Sequence, residues 1–212
     1  MARWAGVTGA ALLTLTACGM SGAERPGEDS ADRRAATTSV ERFGPQAWGL
    51  GEPIARARKD VCQEGQRNWK VTEARYACTV GYSWVLDGAS GPDEVSAVLS
   101  TLHQTARDLG CKARPKSDLT RAQRYWREEI QTEPASLPSG RYECEGVTLE
   151  LSPLGPEDPY VEPISLVGSL TGGDVATRVL DEFPDDLERR VESSAQVMLV
   201  QVSATATYDV QD

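Results

Sequence analysis

Few residues of this chain could do chemistry, and each has an ordinary structural use. His103 is the only histidine. As a general base it would need a nucleophile and an orienting carboxylate beside it, and no GxSxG turn presents a serine. Its spacing from Leu99 and Arg107 is helical, which predicts a boundary position on a helix face. Asp181, Glu182, Asp185, Asp186 and Glu188 lack the alternating oxygen ligands and central glycine of a calcium loop, and they read as a solvated helix face. Gly168-Ser169 and Gly172-Gly173 are not followed by the lysine and hydroxyl of a phosphate loop. No catalytic, cofactor or metal residue is therefore assigned.

The aromatic residues offer a second kind of chemistry. Tyr125 and Trp126 stand among Arg124, Arg127, Glu128 and Glu129, a setting that could hold a sugar or peptide, but Trp126 also takes the buried position of an amphipathic helix. Tyr76, Tyr82 and Trp84 share one face of an alternating segment. They fill a core beneath a helix or line an apolar ligand cleft, and as a cleft they are the candidate binding residues.

The amino terminus carries the most specific signal. Arg3 precedes an apolar run from Ala5 to Leu15, shorter than the about 20 residues that cross a bilayer. A positive start, a short apolar stretch and small residues before a cut site are the parts of a secretory signal peptide. Leu15-Thr16-Ala17-Cys18 resembles the lipobox of bacterial prolipoproteins. The resemblance covers the signal segment alone. It implies diacylglyceryl attachment to the Cys18 thiol, cleavage just before that residue, and a chain held at the extracytoplasmic face of a cell membrane. More than one acyl chain gives stable anchoring.

The remaining cysteines are Cys62, Cys78, Cys111 and Cys144. An even number in a secreted chain reads as two disulfides, with three pairings open. The sequential closures Cys62–Cys78 and Cys111–Cys144 are preferred. No pair has CxxC spacing, which argues against zinc. The formal charge is −10, without the basic footprint of a nucleic-acid binder. Arg107, Lys112, Arg114, Lys116, Arg121, Arg124 and Arg127 form a local exception, with only Asp108 and Asp118 among them. That segment could face anionic headgroups or a wall polymer, although clustering in sequence need not become a patch in space.

These residues must be placed by elements that the pattern announces. Residues 18–39 are small, polar and charged, too poor in apolar side chains to offset ordering, and read as a lipidated tether after a signal peptide of residues 1–17. Residues 40–212 form a single domain. Pro53, Ile54, Ala57 and Val61 suggest a short helix. Ala74–Leu86 alternates as a strand, and Val95, Val98, Leu99, Leu102, Ala106 and Leu109 mark a helix stopped by Gly110. Residues 118–131 suggest a helix, and Glu145-Gly146 a hairpin turn between Arg141–Cys144 and Val147–Leu151. Tyr160–Leu170 reads as a strand, Val175–Val191 as a helix kinked at Pro184, and Gln196–Tyr208 as a last strand. This order predicts an α+β fold, a mixed or antiparallel sheet with helices packed on one face.

The expected function is a membrane-anchored, non-enzymatic binding or accessory module that meets an envelope protein or a small ligand and does not bind nucleic acid. A cell-envelope enzyme such as a carboxylate-dependent hydrolase, or a small-ligand carrier, is the alternative. The hydrolase would need two carboxylates with separated pKa values around one pocket.

Overall fold

A computed structural model describes residues 30–128, 134, 137–156 and 175–211. The signal segment with Cys18, most of the tether and the strand expected at Tyr160–Leu170 lie outside them. The elements are α1 (Ala31–Glu41), β1 (Ala55–Glu64), β2 (Tyr76–Ala89), α2 (Pro92–Asp108), β3 (Lys112–Ala113), α3 (Leu119–Glu128), β4 (Gly140–Cys144), β5 (Val147–Leu154), β6 (Val175–Asp181), α4 (Leu187–Glu192) and β7 (Met198–Gln211).

Period-two alternation in β2 and β7 builds the centre of an antiparallel sheet of order β3-β4-β5-β7-β2-β1-β6. Tyr76, Cys78, Val80, Trp84 and Leu86 of β2 share a face with Met198, Val200, Val202, Ala204, Ala206 and Tyr208 of β7, and all are buried. Helices α1, α2 and α3 cover this face through Ala36 and Val40, through Val95, Leu99, Leu102 and Ala106, and through Leu119, Ala122 and Trp126. The short α4 packs on the opposite face, where Leu187 and Val191 meet Ala55, Val85, Leu154 and Leu199. Further along that face the side chains turn polar. Ser83 and Ser203 hydroxyls lie 2.7 Å apart, and the buried Gln201 amide donates to Ser83 Oγ at 2.9 Å.

Both expected disulfides are present. Cys62–Cys78 joins directly opposed residues of β1 and β2, and Cys111–Cys144 joins the segment after α2 to the end of β4. With sequence separations of 16 and 33 residues, each constrains the unfolded chain by about 3–4 kcal/mol in the loop-entropy account. Helix α2 stops as expected, with Gly110 at φ 83° and its N–H bonded to the Arg107 carbonyl. The hairpin turns at Glu145-Gly146.

Three expectations are corrected. The tether does not run to residue 39: Ser30 caps α1 by accepting the Arg33 N–H at 3.1 Å, and the helix occupies Ala31–Glu41. Its few apolar residues suffice because α1 docks on the sheet, with Val40 fully buried. The helix expected around Ile54–Val61 is β1, ten residues paired in continuous register with β2. Ala57 and Val61 fit a helical spacing and also a strand in which Ala55, Ala57, Lys59 and Val61 share a face; the partner strand decides. The helix expected over Val175–Val191 is β6 followed by α4. Residues Val175–Asp181 pair along the outer edge of β1, where ladder hydrogen bonds outweigh a weak helical pattern.

Candidate functional site

The basic segment becomes a groove where α2, β3 and α3 turn around β4. The Cys111–Cys144 disulfide and the β3–β4 pairs Lys112–Glu143 and Ala113–Tyr142 hold its base. The Arg114 N–H donates to the Arg141 carbonyl, and the Arg141 N–H to the Ser117 carbonyl at 2.6 Å. Between them the chain reverses, with the Ser117 N–H bonded to the Arg114 carbonyl and Lys116 at φ 64°. Asp118 then caps α3: its Oδ1 accepts the Thr120 hydroxyl at 2.5 Å and the Arg121 N–H at 3.3 Å.

The result is an open groove of about 550 Å³ lined by Lys116, Asp118, Thr120, Arg121 and Arg124. Its three cations are solvent-exposed, and its one acid is engaged in capping. The positive end of α3 opens at the same place. Arg114 turns aside to an ion pair with Glu143, and Arg107 and Arg127 lie in the last turns of α2 and α3. The seven-residue cluster therefore contributes three side chains to one concavity. Guanidinium and ammonium groups around a hydroxyl and a helix start can receive phosphate or carboxylate oxygens through charge-assisted hydrogen bonds.

Behind the groove sits the single histidine. Tyr142, with no solvent exposure, accepts the Leu119 N–H at 3.2 Å and lies 3.0 Å from His103 Nδ1. Tyr142 thereby ties α2, β4 and the start of α3 together, and burial pushes its phenol up to about 12. His103 is half-buried and serves as a boundary residue of α2, as its spacing predicts. Nothing in the sequence marks Tyr142; the signal for it is its place on the inward-facing row Gly140, Tyr142, Cys144 of β4.

The aromatic row goes to the core. Tyr76 and Trp84 are 5% and 6% exposed. Tyr82 is half-buried and stacks on Trp84 at 5.5 Å, its hydroxyl donating to Glu41 of α1 at 3.2 Å. These residues are the floor beneath α1, where a ligand cleft was the other expectation. Trp126 is buried in the same core and Tyr125 packs at its margin. Asp186 of the acidic run binds Arg189 and Arg190 within its own turn. Among the described residues no three His, Cys, Asp or Glu side chains gather as a metal site.

Among the described residues one carboxylate is fully buried. Asp60 of β1 accepts Arg33 Nε on Oδ2 and the Tyr208 hydroxyl on Oδ1, each at 2.5 Å. Oδ2 holds α1 on the sheet, and Oδ1 ties β1 to β7 across β2. Hydrolytic use would require a second carboxylate beside it in a pocket; its neighbours are instead a guanidinium and a phenol. No family model, curated protein or solved structure matches the chain.

Proposed function

We propose that this chain is a lipid-anchored binding module on the extracytoplasmic face of a cell membrane, and that its groove receives an anionic group. The anchor rests on the Leu15-Thr16-Ala17-Cys18 segment. The two disulfides agree with an oxidising compartment. The observation that carries the binding role is the convergence of Lys116, Arg121 and Arg124 on one open concavity.

The test uses the full chain purified in detergent. Titration with inorganic tripolyphosphate should give saturable amide shifts at Thr120, Arg121 and Arg124. Arg121→Glu combined with Arg124→Glu should weaken binding at least about tenfold, the loss of two charge-assisted contacts. Shifts spread evenly over the surface, or a double variant that binds equally well, would sink the groove. Mass spectrometry of the amino-terminal peptide tests the anchor separately: Cys18 should be the first residue and carry the lipid.

A further inference from the structure

The large apolar side chains exposed among the described residues are Trp69, Val175 and Val210. All three lie at one end of the sheet. Val175 pairs with Gln63 at the start of β6, and Val210 stands beside the Gln211–Tyr76 pair that ends β7. Trp69 tips the hairpin that leaves this same end between β1 and β2.

That hairpin is built to project. Beyond Glu64 and Tyr76 its arms remain joined: the Gly65 N–H donates to the Arg75 carbonyl, the Glu73 N–H to the Gln66 carbonyl, and the Asn68 N–H to the Val71 carbonyl. Gly65 is required, because a Cβ there would sit 1.8 Å from the Ala74 carbonyl oxygen. Four residues from Glu64 to Asn68 carry the tip roughly 14 Å past the sheet. The tip itself is held by Asn68, whose Oδ1 accepts the N–H groups of Lys70 and Val71 at 2.8 and 2.9 Å, a side-chain turn. On this scaffold Trp69 is 88% exposed, with Lys70 Nζ 4.4 Å from its ring centroid. Residues 65–72 contain Arg67 and Lys70 and no acid.

The chain arrives at this end too. Ser30 Oγ donates to Asp209 Oδ2 at 3.2 Å, and Arg33 reaches Asp60 near the Cys62–Cys78 disulfide. The twelve steps along the chain from Cys18 to Ser30 can span no more than about 43 Å. A lipid on Cys18 would therefore hold Ser30, and with it the Trp69 end, within that distance of the bilayer.

We infer that the Trp69 hairpin is a second membrane contact, which inserts its indole at the headgroup level of the bilayer and orients the domain. Tryptophan favours this layer because its ring is apolar and its N–H is polar. Arg67 and Lys70 suit lipid phosphates there. The inference rests on acylation of Cys18, and the experiment separates the two.

The acylated full chain is reconstituted into vesicles of phosphatidylglycerol and phosphatidylcholine with brominated acyl chains. Of the four tryptophans after Cys18, Trp48, Trp84 and Trp126 are buried. Bromolipid should therefore quench roughly one ring in four, the interfacial one, and W69F should abolish the quenching while the protein stays on the vesicle. Emission from Trp69 that is untouched by bromolipid but quenched by aqueous iodide, with Cys18 acylated, overturns the hairpin contact and leaves the anchor standing. If the full chain expressed with its signal segment carries no lipid on Cys18 and does not associate with the vesicles, both are overturned.

Discussion

Asp60 stands in β1 with no exposed surface, between Arg33 of α1 and Tyr208 of β7. A carboxylate this far from water depends on its partners, and removing one leaves a charge stranded. Arg33 is itself 20% exposed in its side chain, so the pair is nearer an interior than a surface one. Arg33→Met is expected to lower the unfolding free energy by about 3 kcal/mol, measured by urea denaturation. Adding Asp60→Leu should recover part of it, since two apolar residues replace a buried pair at small cost. A loss below about 1 kcal/mol for Arg33→Met would reduce the contact to a surface ion pair. Neither residue is conspicuous in the sequence. Arg33 lies in a polar stretch that reads as solvated, and Asp60 becomes buried only when β6 and β7 arrive from the far end of the chain.

At the scale of elements, α1 shows how far local composition can mislead. With only Ala36 and Val40 buried it has little apolar face, and isolated helices of this length are marginal in water. Its stability comes from docking: Glu41 on Tyr82, Arg33 on Asp60, Ser30 on Asp209. A chain beginning at Val40 should therefore melt roughly 6–12 °C below one beginning at Ser30, the shift expected for about 3 kcal/mol in a domain of this size. Equal melting temperatures would show that α1 adds nothing to the fold. Helix α2 is the opposite case, legible throughout because amphipathic spacing, acidic first turn and glycine stop agree. Strand β6 was illegible for a related reason: it is an edge strand, and its backbone partner β1 lies more than a hundred residues earlier.

For the whole molecule, two buried phenols tie elements together: Tyr208 of β7 donates to Asp60 of β1, the residue that holds Arg33 of α1, and Tyr142 of β4 joins α2 and α3 to the sheet. Burial raises both, and for Tyr208 the neighbouring Asp60 raises it further. In the unfolded chain a tyrosine loses its proton near about pH 10. Above that pH the unfolded chain releases protons that the folded chain retains, so stability present below about pH 10 is lost as pH rises. Burial lowers Lys59, which acts in the opposite sense, but only below about pH 10.4, the ordinary lysine value. The unfolding free energy is therefore expected to fall from about pH 10.5 to 12, with a shallower fall in Tyr208→Phe; a flat profile would contradict the burial of these phenols. The same frame places the two surfaces of interest. The groove lies at the β3–β4 edge, roughly 19 Å across the sheet from the β1–β2 hairpin at four strand spacings.

What the sequence determined by itself is what local signals encode. The α2 and α3 helices, the β4–β5 hairpin, the β2 and β7 strands and the α+β class follow from residue types at short spacing, where periodicity and turn chemistry act. The disulfide framework was legible as a set, and its preferred pairing was the one formed. Tertiary structure alone decided the rest. It turned Ala55–Val61 and Val175–Asp181 into strands by supplying partners, and drew residues 31–39 into α1. It sent Tyr76, Tyr82 and Trp84 beneath that helix, and chose three of seven basic side chains to share a groove. Those outcomes depend on contacts between segments far apart in the chain, whose free energy no short window of residues contains.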